Sequence, residues 1–228
     1  MQRDHQSERV EWRDDATPVS TLFDDPYFSL AGGLDETRHV FLDGNALKER
    51  LSDGFHVAEL GFGTGLNLLA LAILWEGLGR PGRLHFTSFE AFPMAAPDMA
   101  RAHVAFPETG SVSAELCHFW SQGLRRFSLG RIELNVITGD ARKTLAAWPG
   151  RADAWFLDGF SPAKNPEMWD PGLLGEVAAH TAPGGTFATY TAAGFVRRGL
   201  QAAGFQVERV KGYGTKRHMS RGRLDSPI

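Results

Sequence analysis

HVAELGFGTGLN, residues 56–67, carries an apolar run into alternating glycines and then into a helix-forming segment. Val57, Ala58 and Leu60 read as a short buried strand, and the glycines at 61, 63 and 65 mark a tight turn in which missing side chains let backbone amides approach a ligand. The apolar residues from Leu66 onward predict a helix over 66–75. A strand, a glycine loop and a helix in this order open a parallel sheet with crossover helices.

The residues downstream repeat the alternation. Strands are predicted at 56–60, 84–89, 134–138, 154–158, 185–191 and 205–211, with a second clear helix at 195–203 ended by Gly204. Segment 96–126 reads as two helices broken at Pro107 and Gly110. Upstream, residues 1–50 mix aromatic and acidic clusters with turn signals and a short helix at 45–51, an N-terminal decoration on a core at 51–228. The expected class is α/β, a Rossmann-like sheet with helices on both faces.

The glycine spacing departs from the G-x-G-x-x-G of dinucleotide enzymes, whose helix end receives a pyrophosphate. It suits a nucleoside cofactor without one, such as S-adenosylmethionine. Glu59 precedes the loop, and Glu90 ends the second strand, where a carboxylate can accept hydrogen bonds from ribose hydroxyls. Asp140 follows the third strand; it can accept from an adenine amino group or cap the next helix, and the sequence leaves both open. The fourth strand leads into Asp158-Gly159-Phe160-Ser161-Pro162, delivering one carboxylate to the crevice. An amine acceptor must present a free lone pair in line with the methyl group, so a carboxylate that holds it and takes its proton is useful. Phe160 and Pro162 supply an apolar wall for a flat substrate.

Composition sets the outer bounds. The chain has 228 residues, 43% hydrophobic and 22% charged, which is enough for one sizeable core. A net charge of −3 excludes bulk electrostatic binding of nucleic acid, so any such contact is local. Arg209, Lys211, Lys216, Arg217, Arg221 and Arg223 cluster near the end, as an RNA-tracking surface or as a solvated hairpin. Cys117 is the single cysteine and the histidines lack metal-ligand spacing, so no metal site is expected. The polar N-terminus and the lack of any long apolar run imply a cytoplasmic protein with no membrane partner.

Together, HVAELGFGTGLN, FLDGFSPAKNPEMW, the segment TPVSTLFDDPYFSLAGGLDETRHVFLDGN and the late GYGTKRHM make the chain resemble the methyltransferase part of the MnmC-type tRNA-modifying proteins. That resemblance implies a class I S-adenosylmethionine-dependent methyltransferase fold. It also implies methylation of the amine of 5-aminomethyluridine, often 2-thiolated, at the tRNA wobble position. A separate FAD-dependent oxidase would then supply the aminomethyl group. By resemblance Asp158 is catalytic, and Tyr27, Glu59, Gly61, Gly63, Gly65, Asn67, Glu90 and Asp140 hold the cofactor. Glu36, Arg38, Phe160, Lys164, Lys216 and Arg217 are substrate-binding candidates. Two further readings stay open: action on another amine, and a noncatalytic cofactor-binding partner of a flavin oxidase.

Overall fold

The computed structural model describes residues 10–14, 17–29 and 32–225. An antiparallel ribbon of β1 (Val10–Arg13), β2 (Thr17–Ser20) and β3 (Asp25–Pro26) comes first. It is followed by α1 (Gly33–Thr37), a π-helical turn at Arg38–Asp43 and α2 (Leu47–Arg50). Trp12 ties the ribbon down: its indole N–H donates to Asp98 at 3.3 Å, and the Arg101 guanidinium lies 4.0 Å over its ring.

The main chain then alternates. In order come β4 (His56–Leu60), α3 (Leu66–Leu78), β5 (Leu84–Glu90), α4 (Ala96–His103), α5 (Gly110–Ser121), β6 (Arg126–Leu129) and β7 (Ile132–Thr138). The remainder is α6 (Ala141–Thr144), β8 (Ala152–Leu157), α7 (Pro171–Ala179), β9 (Thr181–Thr189), α8 (Gly194–Ala202), β10 (Phe205–Lys211) and β11 (His218–Leu224). The sheet runs β10-β11-β9-β8-β4-β5-β7-β6, and the pairs from β9 through β7 are parallel.

Alternating side chains feed two apolar layers from the same strands. In β8, Ala154 and Phe156 join the layer under α3, while Trp155 and Leu157 join the layer under α7 and α8. This is the doubly wound α/β arrangement. Leu34, Val40, Phe41, Leu42 and Leu47 pack in the first of these layers, so the segment ahead of residue 51 covers one face of the sheet.

Two expectations need correction. Arg126 does not end a helix; it starts β6, whose partly buried Phe127 faces Phe119 at 4.7 Å and whose Leu129 is buried, by strand alternation. β9 begins at Thr181, with a register irregularity against β8 between Ala152 and Ala154 that accommodates Pro183 and Gly184 in the strand. The basic tail forms a hairpin: β11 inserts antiparallel between β10 and β9, and Arg221 pairs with Glu208 at 3.1 Å across it. Among the described residues no helix is long and apolar enough to cross a membrane.

Candidate functional site

A cavity of about 500 Å³ opens outside the carboxyl ends of β4, β5, β7 and β8, where the chain leaves the strands on opposite sides. Its floor is the glycine loop. Gly61 has φ +89° and donates its N–H to Phe89 O at 2.9 Å, and a Cβ at this position would stand 2.5 Å from the main-chain oxygen of Asp158. Only glycine fits that approach. Gly63, at φ +52°, donates its N–H to the Glu90 carboxylate at 3.0 Å. Gly61→Ala therefore displaces the Asp158 strand end: cofactor affinity falls at least about tenfold and stability drops by about 1–3 kcal/mol, checked by calorimetric titration and thermal melts.

Asn67, in the first turn of α3, is the hub of the site. Its amide donates to Glu59 Oε1 at 2.8 Å and to Asp158 Oδ2 at 2.6 Å, and its oxygen accepts from Thr37 at 3.0 Å. Glu59 also accepts from Ser88 at 2.7 Å and is fully buried one layer behind the cavity wall. Burial drives its carboxyl well above the usual range, against the pull of Ser88 and Asn67. Glu59 is thus a support for Asn67 rather than a wall residue.

Asp158 sits on the wall itself. Burial pushes its carboxyl up to about 7; the Asn67 bond and the Lys216 cation pull the other way, and Glu36 adds to the rise. Phe160, two residues on, lies tilted against Phe23 at 4.9 Å and meets Tyr27 edge-on at 5.2 Å. These rings form an apolar wall whose loop is fixed by Trp169, donating to Phe160 O at 3.0 Å, and by Ser161 N–H, donating to Asp25 at 2.8 Å. Opposite them Lys216 donates to Glu36 at 2.6 Å and lies 4.6 Å over the Tyr190 ring.

Of the residues singled out in the sequence, Tyr27, Glu36, Gly61, Gly63, Asn67, Glu90, Asp140, Asp158, Phe160 and Lys216 meet on this one cavity. Gly65 stands behind it as the left-handed residue opening α3. Arg38, Lys164 and Arg217 are not on its wall. Arg38 pairs with Asp35 at 2.7 Å, Lys164 clamps the ribbon through Asp24 and Asp25, and Arg217 is exposed on the β10–β11 turn. Asp140 caps α6 through Arg142 N–H at 3.0 Å and binds the Arg142 guanidinium at 2.7 Å, which holds its carboxyl below the usual range. The capping role is thus realised, and the same residue lines the cavity.

The sequence reading passed over Thr37, Tyr190 and His103. His103 is buried beneath the loop, its ring nitrogens 2.7 Å from Thr64 O and 2.8 Å from Ser113 Oγ; burial lowers its pKa, against the pull of the Thr64 carbonyl. Its only sequence signal is a histidine in an amphipathic helix.

The residues present fit S-adenosylmethionine. The loop's backbone lies open beside the cavity, and Glu90, which accepts from Gly63 N–H and from Phe92 N–H at 2.7 Å, retains a lone pair on each oxygen for a ribose diol.

A family model described as S-adenosyl-L-methionine-dependent methyltransferase matches residues 107–225. The chain is 48% identical, over 98% of its length, to the tRNA 5-methylaminomethyl-2-thiouridine biosynthesis bifunctional protein MnmC of Pseudomonas paraeruginosa, and 45% identical to that of Chromobacterium violaceum. It spans 36% and 35% of those relatives, about a third of their length. Among solved structures it is similar to MnmC2 from Aquifex aeolicus, with a TM-score of 0.76 and 27% identity, covering 99% of this chain and 73% of that one. The N-methyltransferase NodS of Bradyrhizobium japonicum bound to S-adenosyl-L-homocysteine, at 14% identity and a TM-score of 0.50 over 90% of this chain and 93% of that one, shares the fold.

Proposed function

Since the chain belongs to the S-adenosyl-L-methionine-dependent methyltransferase family, we propose that it methylates the primary amine of 5-aminomethyluridine, or its 2-thio form, at the tRNA wobble position. The product is the 5-methylaminomethyl nucleoside. The observation that carries the reading is Asp158, a carboxylate raised to about 7 and held by Asn67 on the cavity wall beside the glycine loop. The MnmC relatives are named for tRNA 5-methylaminomethyl-2-thiouridine biosynthesis, which supports the same substrate. Localisation to the cytoplasm, where tRNA is modified, belongs to the same proposal.

When bound, S-adenosylmethionine supplies an electrophilic sulfonium methyl group. Glu90 would hold its ribose and the loop from Gly61 to Gly65 its amino acid portion, with Tyr27 beside Gly63 closing over it. The base stacks on Phe160, and Asp158 receives the alkylammonium. An ordinary carboxylate is too weak a base for an alkylammonium; raising Asp158 toward 7 narrows that gap and lets it hold the amine and take its proton. The aromatic wall excludes water from the reacting nitrogen. The amine is delivered by a FAD-dependent oxidase acting upstream.

The test is mass analysis of wobble nucleosides after incubating tRNA that carries the aminomethyl group with the protein and methyl donor. A gain of one methyl group on that nucleoside is expected. Cofactor binding without any gain would instead favour a noncatalytic partner, and methylation of small amines but not tRNA would move the substrate elsewhere.

A further inference from the structure

The Lys216 side chain leaves the β10–β11 turn and runs into the cavity. Its ammonium is 2.6 Å from Glu36 and 4.6 Å from the centre of the Tyr190 ring. Glu36 is the buried partner, its side chain 12% exposed against 46% for Lys216. Tyr190 is fixed, because its hydroxyl donates to Gly159 O at 2.9 Å, next to Asp158. Burial and the Asp158 and Glu36 charges hold that hydroxyl's pKa up, so the ring stays neutral and presents an undisturbed π-face. A carboxylate and an aromatic face thus hold one alkylammonium, near enough to Asp158 for its charge to act on that carboxyl.

The lysine tip and an aminomethyl group are the same chemical unit, a methylene bearing a protonated primary amine. A box that receives one has the charge and shape to receive the other.

We propose that the box formed by Glu36, the Tyr190 ring and Asp158 is the acceptor-amine subsite, that Lys216 is its internal occupant, and that the substrate's ammonium displaces it. The proposal rests on the amine-methylation reading above. Glu36 is then a specificity residue that favours a cationic acceptor, and Lys216 guards the two carboxylates until that acceptor arrives. Occupancy by Lys216 lowers the apparent affinity for the amine by the fraction of molecules in which the box is free. Displacement costs little structure: Lys216 N–H closes a short turn onto Tyr213 O, next to Gly214 at φ +55°, and the side chain has open solvent beyond the rim.

The test compares two tRNAs that differ only in the wobble base, one with 5-aminomethyl-2-thiouridine and one with 2-thiouridine. Dissociation constants are measured with S-adenosylhomocysteine present, for the wild type, Glu36→Gln and Lys216→Met. S-adenosylhomocysteine affinity alone reports that each variant is folded. The ratio of the two constants cancels any phosphate contact that Lys216 makes, because both tRNAs share it. Glu36→Gln is expected to lower the preference for the amine-bearing tRNA about tenfold, and Lys216→Met to raise it about fivefold. Ratios unchanged in both variants, or a lower preference in Lys216→Met, would overturn the proposal. A wild type that neither prefers nor methylates the amine-bearing tRNA would overturn the underlying reading of function.

Discussion

Asp158→Asn is expected to cut methyl transfer about 10²- to 10⁴-fold, leave S-adenosylhomocysteine affinity within about threefold, and raise stability at pH 8 by about 2 kcal/mol. The loss in rate follows from its position: the asparagine keeps the shape but can neither balance an alkylammonium nor take its proton. The gain in stability follows from the carboxylate's environment. Burial raises the folded pKa to about 7, above the ordinary value near 4. Between those values the unfolded chain binds fewer protons than the folded one, so this group's contribution to stability falls as pH rises from about 4 to about 7 and stays low above.

The neutral amide has no such dependence. Its stabilising effect is therefore largest at pH 8 and vanishes by about pH 4, a sign opposite to that of a salt-bridged acid such as Asp140, which is lost as pH falls. Thermal melts at pH 5 and pH 8 read the difference. In the wild type, kcat/KM falls as pH drops through about 7 because the free enzyme's Asp158 takes up a proton. Wild-type rates in the asparagine variant, or a stability gain that is greater at pH 5, would remove Asp158 from the reaction.

The parts of this site that the sequence made legible are those whose residue type answers a local demand. Gly61 is required by a positive φ and by the Asp158 oxygen against it. Glu90 and Asp158 end apolar strands, and a sheet with parallel order delivers strand ends to one crevice. Residues brought in by long-range packing were harder. Tyr190 lies just beyond β9, and nothing in its neighbours distinguishes it from a core tyrosine until the fold sets its hydroxyl on Gly159. His103 gives an amphipathic helical signal that any packed histidine would give. Arg38, Lys164 and Arg217 lie off the cavity wall for the complementary reason: their charges are answered by Asp35, by Asp24 and Asp25, or by solvent, which depends on side-chain direction rather than on position in the chain. Ion-pair choice on a surface is decided by small energies and leaves no periodic trace.

Asn67→Leu should have the opposite signature to Asp158→Asn in stability and a distinct one in pH. Leucine keeps the same branched heavy-atom skeleton but is bulkier, so the change removes the hydrogen bonds and adds some crowding. It takes one donor from Glu59 and one from Asp158, and it leaves Thr37 Oγ1 without its acceptor. Glu59 is left with Ser88 alone, fully buried. A buried carboxyl that loses a hydrogen-bond partner is costly, so the loss is about 2–3 kcal/mol. The Asn67 bond is also the first influence holding Asp158 down against burial. Without it the acid limb of kcat/KM moves from about 7 toward higher pH by about one unit. A double-mutant cycle separates the two carboxylates: in the Asp158→Asn background the limb is gone, and what Asn67→Leu still costs at pH 8 belongs to Glu59 and Thr37. If that residual equals the full single-mutant loss, Asn67 supports the loop without tuning the proton acceptor.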